Sequence, residues 1–246
     1  VLDPCLNPDG RDRYVHAYRQ RRGMQPDPSP AAWEHEEPWP GGRVNHYLFD
    51  LNRDWAWGTQ PETRQRLPLY NAWLPAVHVD FHEQGVDSPY YFAPAAEPYH
   101  PAITLWQREL QTQIGEANAR IFDRDGRLYF TREVFDLFYP GYGDTWPTFN
   151  GAIGMTYEQG GSGRAGLAIV TAEGDTLTLA DRIRNHVDTG LETVATTAAQ
   201  ADRVRREFAD YFRQPPRGAP RAFAVRGPDA ALRDLAALLD LQGITY

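Results

Sequence analysis

Ala76-Val77-His78-Val79-Asp80-Phe81-His82-Glu83-Gln84 is the stretch on which the fold turns. Val77, Val79 and Phe81 alternate with His78, Asp80 and His82, the period of two of a strand with one apolar face. The strand is expected to end at His82, where Glu83, Gln84 and Gly85 turn it out of the sheet. An imidazole at the carboxyl end of a buried strand faces the crevice where α/β sheets hold their ligands. It suits metal binding or proton transfer there, and the competing reading is a satisfied core histidine.

On either side of this strand the chain reads as helices and short strands. Residues 61–73 form a helix opened by Pro61 and Glu62, with Thr59 as its cap. Residues 101–123 form a long amphipathic helix carrying Ile103, Leu105, Trp106, Leu110, Ile114 and Ile121. Residues 131–138 read as a brief helix, 139–150 as a loop dense in glycine and aromatics, and 153–158 as a second strand. Residues 167–170 and 176–178 pair around Glu173-Gly174-Asp175. Residues 179–212 read as one long helix with Ile183, Val187, Leu191, Val194, Val204, Phe208 and Phe212 on one side.

At the amino end, residues 1–6 read as a strand and Asn7-Pro8-Asp9-Gly10 as a turn. A short helix over 11–22 follows, then a proline-rich, acidic loop or lid over 23–42. Strands mixed with helices of these lengths imply an α/β domain, with a mixed, mostly parallel central sheet and helices on both faces, over residues 1–214. Residues 215–246 read as a linker, Pro215-Pro216-Arg217-Gly218, then strand, helix and strand, the opening of a second α/β unit.

Composition bounds the function. The 246 residues suit one large domain, or one domain plus a fragment, and 41% hydrophobic content supplies a core. A net charge of −8 disfavours a nucleic-acid partner. All 25 basic residues are arginine, which reads as a compositional bias and not a site. The single cysteine, Cys5, rules out an internal disulfide and leaves the compartment open. No run of 18 apolar residues offers a membrane span. The chain opens without methionine in an apparent strand and stops at what looks like the start of another, so it is expected to be a piece of a longer protein.

Four short stretches set polar groups at the end of an apolar run: Asn7-Pro8-Asp9-Gly10, Arg43-Val44-Asn45 through Asp50-Leu51-Asn52-Arg53, Asp80-Phe81-His82, and Thr156-Tyr157-Glu158. Singly, each is ordinary. Together, in this order and spacing, they resemble the zinc carboxypeptidase family, and the stretches 82–94 and 138–161 look like a bacterial-type branch. The resemblance covers about residues 1–166. It implies that residues 1–214 are the C-terminal part of a carboxypeptidase-like domain.

The resemblance implies roles residue by residue. His82 matches the last zinc-ligating histidine, and Glu158 the glutamate that activates the zinc-bound water. Arg43 resembles the arginine that stabilises the tetrahedral oxyanion. Asn52 and Arg53 match the pair that grips the substrate's terminal carboxylate, and Asp50 an aspartate that orients a zinc-bound histidine. The mobile tyrosine that closes over substrate best matches Tyr139, with Tyr142 as a rival. The implied cofactor is zinc, the implied partner a peptide with a free C-terminal carboxylate, and the implied location extracytoplasmic. Physical chemistry agrees: zinc lowers the pKa of bound water, a carboxylate beside it carries the proton, and guanidinium forks suit carboxylates and developing oxyanions.

The sequence departs from the family in one respect. The first two zinc ligands belong to a His-x-x-Glu motif, and none occurs in these 246 residues. The missing pair is expected before Val1, and this chain by itself is expected to bind zinc weakly and to lack activity. Three functions therefore stand: a zinc-dependent metallopeptidase releasing C-terminal residues, a deacylase of small N-acyl amino acids on the same fold, and a metal-free peptide-binding module. Trp146 is a candidate wall of the pocket for the substrate's last side chain, His16 and His186 are expected to face solvent, and Tyr90-Tyr91-Phe92 to be packing.

Overall fold

A computed structural model describes residues 1–213 and 222–246. The expected boundary at 214/215 and the linker Pro215-Pro216-Arg217-Gly218 fall within the interval left out.

Four strands form the central sheet: β1 (Val77–Gln84), β2 (Tyr90–Tyr91), β3 (Tyr129–Phe130) and β4 (Ile153–Gly160), in the order β1-β4-β2-β3. β1 runs parallel to β4 and β2 parallel to β3, while β2 meets β4 antiparallel. The sheet is thus mixed and mostly parallel, as the alternating pattern implies. A two-stranded hairpin, β5 (Ala168–Val170) and β6 (Thr176–Thr178), pairs around the expected turn.

Helices cover both faces of the sheet, and the parity of β4 decides which. Odd positions Ile153, Met155 and Tyr157 are fully buried against Trp106, Leu110, Ile114 and Phe122 of helix α3 (Leu105–Asp125). Burying each such aliphatic or aromatic side chain contributes roughly 1.5–3 kcal/mol. Tyr157 also shares a hydrogen bond with Thr193 of helix α5 (Leu179–Ala199), 2.6 Å apart. Even positions face helix α4 (Thr145–Phe149): Gly154 lies against Asp144 and Thr148, and Thr156 donates to Asp144. On the neighbouring strand His78 meets Tyr70 of helix α2 (Pro61–Trp73) on that same face. Core packing therefore takes one face and polar chemistry the other.

Local signals explain most helix starts. Asn7 caps α1 (Pro8–Arg21) by accepting from the Gly10 N–H, so Asn7-Pro8-Asp9-Gly10 opens a helix where a turn was expected. Thr104 and Gln107 form a reciprocal capping box that starts α3 at Leu105, four residues later than expected. Thr59 does not cap α2. Its hydroxyl and amide both donate to Asp54, and Gln60 precedes the helix.

Other expectations are corrected. Residues 1–6 form no strand and pair with no strand among the described residues. Residues 131–138 form no helix; Arg132 and Val134 take positive φ, incompatible with one. The long helix breaks at Gln200 into α5 and α6 (Ala201–Arg213). At the carboxyl end the helix α7 (Asp229–Leu241) forms as expected, but residues 222–228 and 244–246 are not strands. Among the described residues no helix is long and apolar enough to cross a membrane.

Candidate active site

The parallel register places His82 directly opposite Glu158, and Asp80 opposite Thr156, in the carboxyl halves of β1 and β4; both strands stay paired two residues further, to Gln84 and Gly160, past the expected end at His82. All four side chains stand on the polar face. The loop before α4 brings Asp144 beneath them, where it accepts from Thr156 at 2.8 Å. The segment 43–53 crosses above, with a 3₁₀ turn at Leu51–Arg53 started by Asp50, whose side chain accepts from the Asn52 N–H. A cavity of about 180 Å³ opens between these elements, lined in part by Asn7, Arg43, Asp50, Asn52, Trp55 and His82.

His82 is tightly held. Its Nε2 lies 2.7 Å from Asp80 Oδ2 and 2.8 Å from Asn52 Nδ2. Asn52 is oriented in turn by the Gly143 N–H, which donates to its Oδ1 at 2.6 Å. Gly143 has no room for a side chain, because a Cβ there would stand 2.3 Å from Asp80 Oδ2. Burial lowers the basicity of His82, yet the Asp80 charge and hydrogen bond, with Glu158, outweigh it and raise its pKa. Burial would likewise raise Asp80, but His82, His78 and Arg43 hold it below the usual carboxylate range.

Glu158 lies among carboxylates and away from water. Burial pushes it up to about 7, opposed by His82 and Arg43 and assisted by Asp80 and Asp144. Its Oε2 is buried and finds no hydrogen-bond partner among the described residues. Burial also pushes Asp144 up to about 6, against its bonds from Thr156 and Thr145. A carboxyl that titrates near neutrality beside an imidazole is a competent proton carrier.

The arginines converge on Asp50. Arg43 Nε donates to Asp50 Oδ2 at 3.0 Å, and Arg53 Nη1 lies 3.8 Å from the same oxygen. Asp50, expected to orient an imidazole, touches no histidine among the described residues; Asp80 takes that part for His82. The Arg53 guanidinium lies over the Tyr142 ring, 4.4 Å from its centroid. The Tyr139 hydroxyl accepts from Trp57 Nε1 at 2.7 Å and lies 3.4 Å from the Arg53 carbonyl. Both tyrosines therefore neighbour Arg53.

Arg43, Asn52 and His82 share the cavity wall, Glu158 stands beside His82 on the next strand, and Arg53 meets the wall through Asp50, with Tyr139 beside it. Sequence reasoning places Asp80 in one of the four polar stretches without giving it a role, and considers Asp144 only as a loop carboxylate that could face a basic substrate side chain. The Asp-x-His spacing on a strand was a readable signal for Asp80, since residues two apart share a face. Asp144 had no such signal, being brought in by the path of a loop. His186, expected to face solvent, accepts from or donates to Tyr90 at 2.8 Å and packs edge-on against Phe81; burial pushes it down to about 4. Trp146 is buried against Trp55 and so stands behind the cavity wall.

A catalytic zinc takes three protein donors and an open position. Here the donor set is His82, with Nε2 engaged by a carboxylate in the manner that orients a ligating imidazole. Among the described residues no three His, Cys, Asp or Glu side chains converge to hold a metal, and residues 214–221 contain none of these types. One imidazole does not fit a zinc without further donors.

No family model matches the chain, and no curated protein matches it. Among solved structures it is similar to a metallo-carboxypeptidase from Burkholderia cenocepacia, with 17% sequence identity and a TM-score of 0.49 over 80% of this chain. The likeness covers 55% of that chain, so this chain spans about half its length. A likeness of that degree assigns no activity.

Proposed function

We propose that this chain carries the proton-transfer and carboxylate-binding part of a peptide hydrolase that releases C-terminal residues. One observation carries the reading: Glu158 is paired across adjacent strands with His82, which lines a cavity together with Arg43 and Asn52. Glu158, titrating at about 7, takes a proton from the attacking water and passes it to the leaving amine. Arg43 is held through Nε by Asp50, which leaves its terminal nitrogens to meet the charge that grows on the scissile carbonyl. Asn52 and Arg53 hold the substrate's terminal carboxylate, for which a planar fork is suited. Tyr139 closes the rim over bound substrate.

Zinc is the proposed cofactor of the complete enzyme. It would supply a water acidified toward neutrality. His82 is one ligand in this reading, and the other two lie beyond these residues. The test is Glu158→Gln in the full-length natural protein, assayed on peptides with free C-termini. Hydrolysis is expected to fall by on the order of 10²–10⁴ with metal content unchanged. Retained hydrolysis refutes the assignment.

A second reading, binding without hydrolysis, is favoured by the single imidazole beside an otherwise complete set of carboxylate-recognising groups. Absence of turnover by the full-length natural protein, with peptide affinity intact, supports it. A deacylase would use the same Asn52-Arg53 pair, and a panel of peptides against N-acyl amino acids separates the two hydrolases.

A further inference from the structure

The carboxyl-terminal helix α7 ends against the back of the cavity. Gln242, just past its last turn, donates through Nε2 to the carbonyls of Trp55 at 3.0 Å and Ala56 at 2.9 Å. Its Oε1 accepts from Trp146 Nε1 at 2.8 Å. One amide thus satisfies three groups on two separate segments. Trp55 follows the Asn52-Arg53 pair by two residues and lines the cavity, while Trp146 sits on α4, two residues beyond Asp144.

A second observation is independent of these bonds. Gly58 takes φ +55, and a Cβ built on it would stand 2.3 Å from Leu241 Cδ2. The leucine methyl occupies the space that a side chain at 58 would fill. Leu241 completes the cluster of Trp55, Leu67 and Trp146 with Ala56 and Tyr70. The niche for the end of α7 is therefore shaped in the body of the domain, and the match is one of both shape and hydrogen bonding.

We infer that Gln242 is a positioning residue, a clasp through which α7 fixes the Asn52–Trp55 segment against the loop carrying Gly143 and Asp144. The two segments it joins are the ones that orient Asn52, whose amide lies between Gly143 and His82. A clasp at their far ends limits their relative motion, and so the geometry of the carboxylate-binding pair. The consequence for substrate rests on the proposed function; the clasp itself does not.

The test compares the chain with Gln242→Met, which keeps length and bulk but removes all three bonds. Hydrogen exchange is followed in peptides covering 51–58 and 144–150, with β4 as internal reference. Exchange in both peptides is expected to quicken roughly tenfold in the methionine variant, as loss of one or two net hydrogen bonds would produce, with β4 unchanged. Unchanged exchange at 51–58 overturns the inference, as does equal acceleration throughout, which marks general destabilisation. In parallel, affinity is measured for a fluorescent pentapeptide with a free C-terminus and for its C-terminal amide. The variant is expected to lose preference for the acid while keeping its weaker affinity for the amide. A wild-type chain that does not distinguish acid from amide sinks the carboxylate-binding reading and leaves the exchange result to judge the clasp.

Discussion

His82 and Glu158 are register partners on adjacent parallel strands, so an imidazole and a carboxyl separated by 75 intervening residues rise side by side from one face of the sheet. Each shapes the other's charge. Glu158 helps to raise the pKa of His82, and His82 opposes the burial that pushes Glu158 up. With Asp80 and Asp144 close by, Glu158 is a group for which the folded state favours the neutral form.

That preference predicts how stability depends on pH. Unfolded, Glu158 and Asp144 have ordinary values of 4.5 and 3.8; folded, burial raises them to about 7 and about 6. Their contribution is fully present below the unfolded values and is lost as pH rises through about 6 and then about 7. Glu158→Gln removes the larger of the two penalties. At about pH 8 it is expected to stabilise the chain by on the order of 2–3 kcal/mol, with little gain near pH 4.5. Chemical denaturation at the two pH values checks this; a variant no more stable than wild type at the higher pH contradicts it.

The arginines are expected to separate by role. Arg53→Ala should weaken binding of a peptide with a free C-terminus by about 10–100-fold and leave its amide unaffected, since a charged hydrogen-bonding partner is lost only for the acid. Arg53→Lys should recover part of this, because it restores the charge without the fork. Equal losses for acid and amide would place Arg53 outside carboxylate recognition.

Gly143 should tolerate no side chain. In Gly143→Ala the Cβ would meet Asp80 Oδ2 at 2.3 Å and Asn52 Oδ1 at 3.0 Å, so the loop must shift and its N–H lose Asn52. A loss of about 1–3 kcal/mol in stability is expected from overpacking of this kind. The proton and carbon shifts of the His82 ring, followed by NMR, should change as Asn52 turns away. A stable variant with an unaltered His82 signal would show that Gly143 does not orient the pair.

Much of the chemistry was legible in the residue order. Alternation in β1 marked the strand and put His78, Asp80 and His82 on a common face. Apolar spacing marked α3, and a glycine-containing turn between short apolar runs marked the hairpin of β5 and β6. The failures have a common cause. Residues 1–6 and 222–225 have strand composition, but a strand needs a neighbour to satisfy its backbone, and neither finds one among the described residues. Residues 131–138 have helical composition, yet Arg132 and Val134 adopt left-handed backbone. Asp144 gave no local sign of belonging to the site, because its burial and its bond to Thr156 exist only once α4 lies across β4.

Sequence alone determined the strand and helix periods, the polar face of β1 and the titratable and guanidinium residue types placed at the strand ends. These are local properties, set by side-chain spacing along the backbone. Tertiary structure alone decided that Glu158 stands opposite His82, that Asp80 holds that imidazole, that both arginines share Asp50, and that Gln242 reaches the carbonyls of Trp55 and Ala56. Those are contacts between distant parts of the chain, and their energies depend on burial and distance, which spacing along the backbone does not encode.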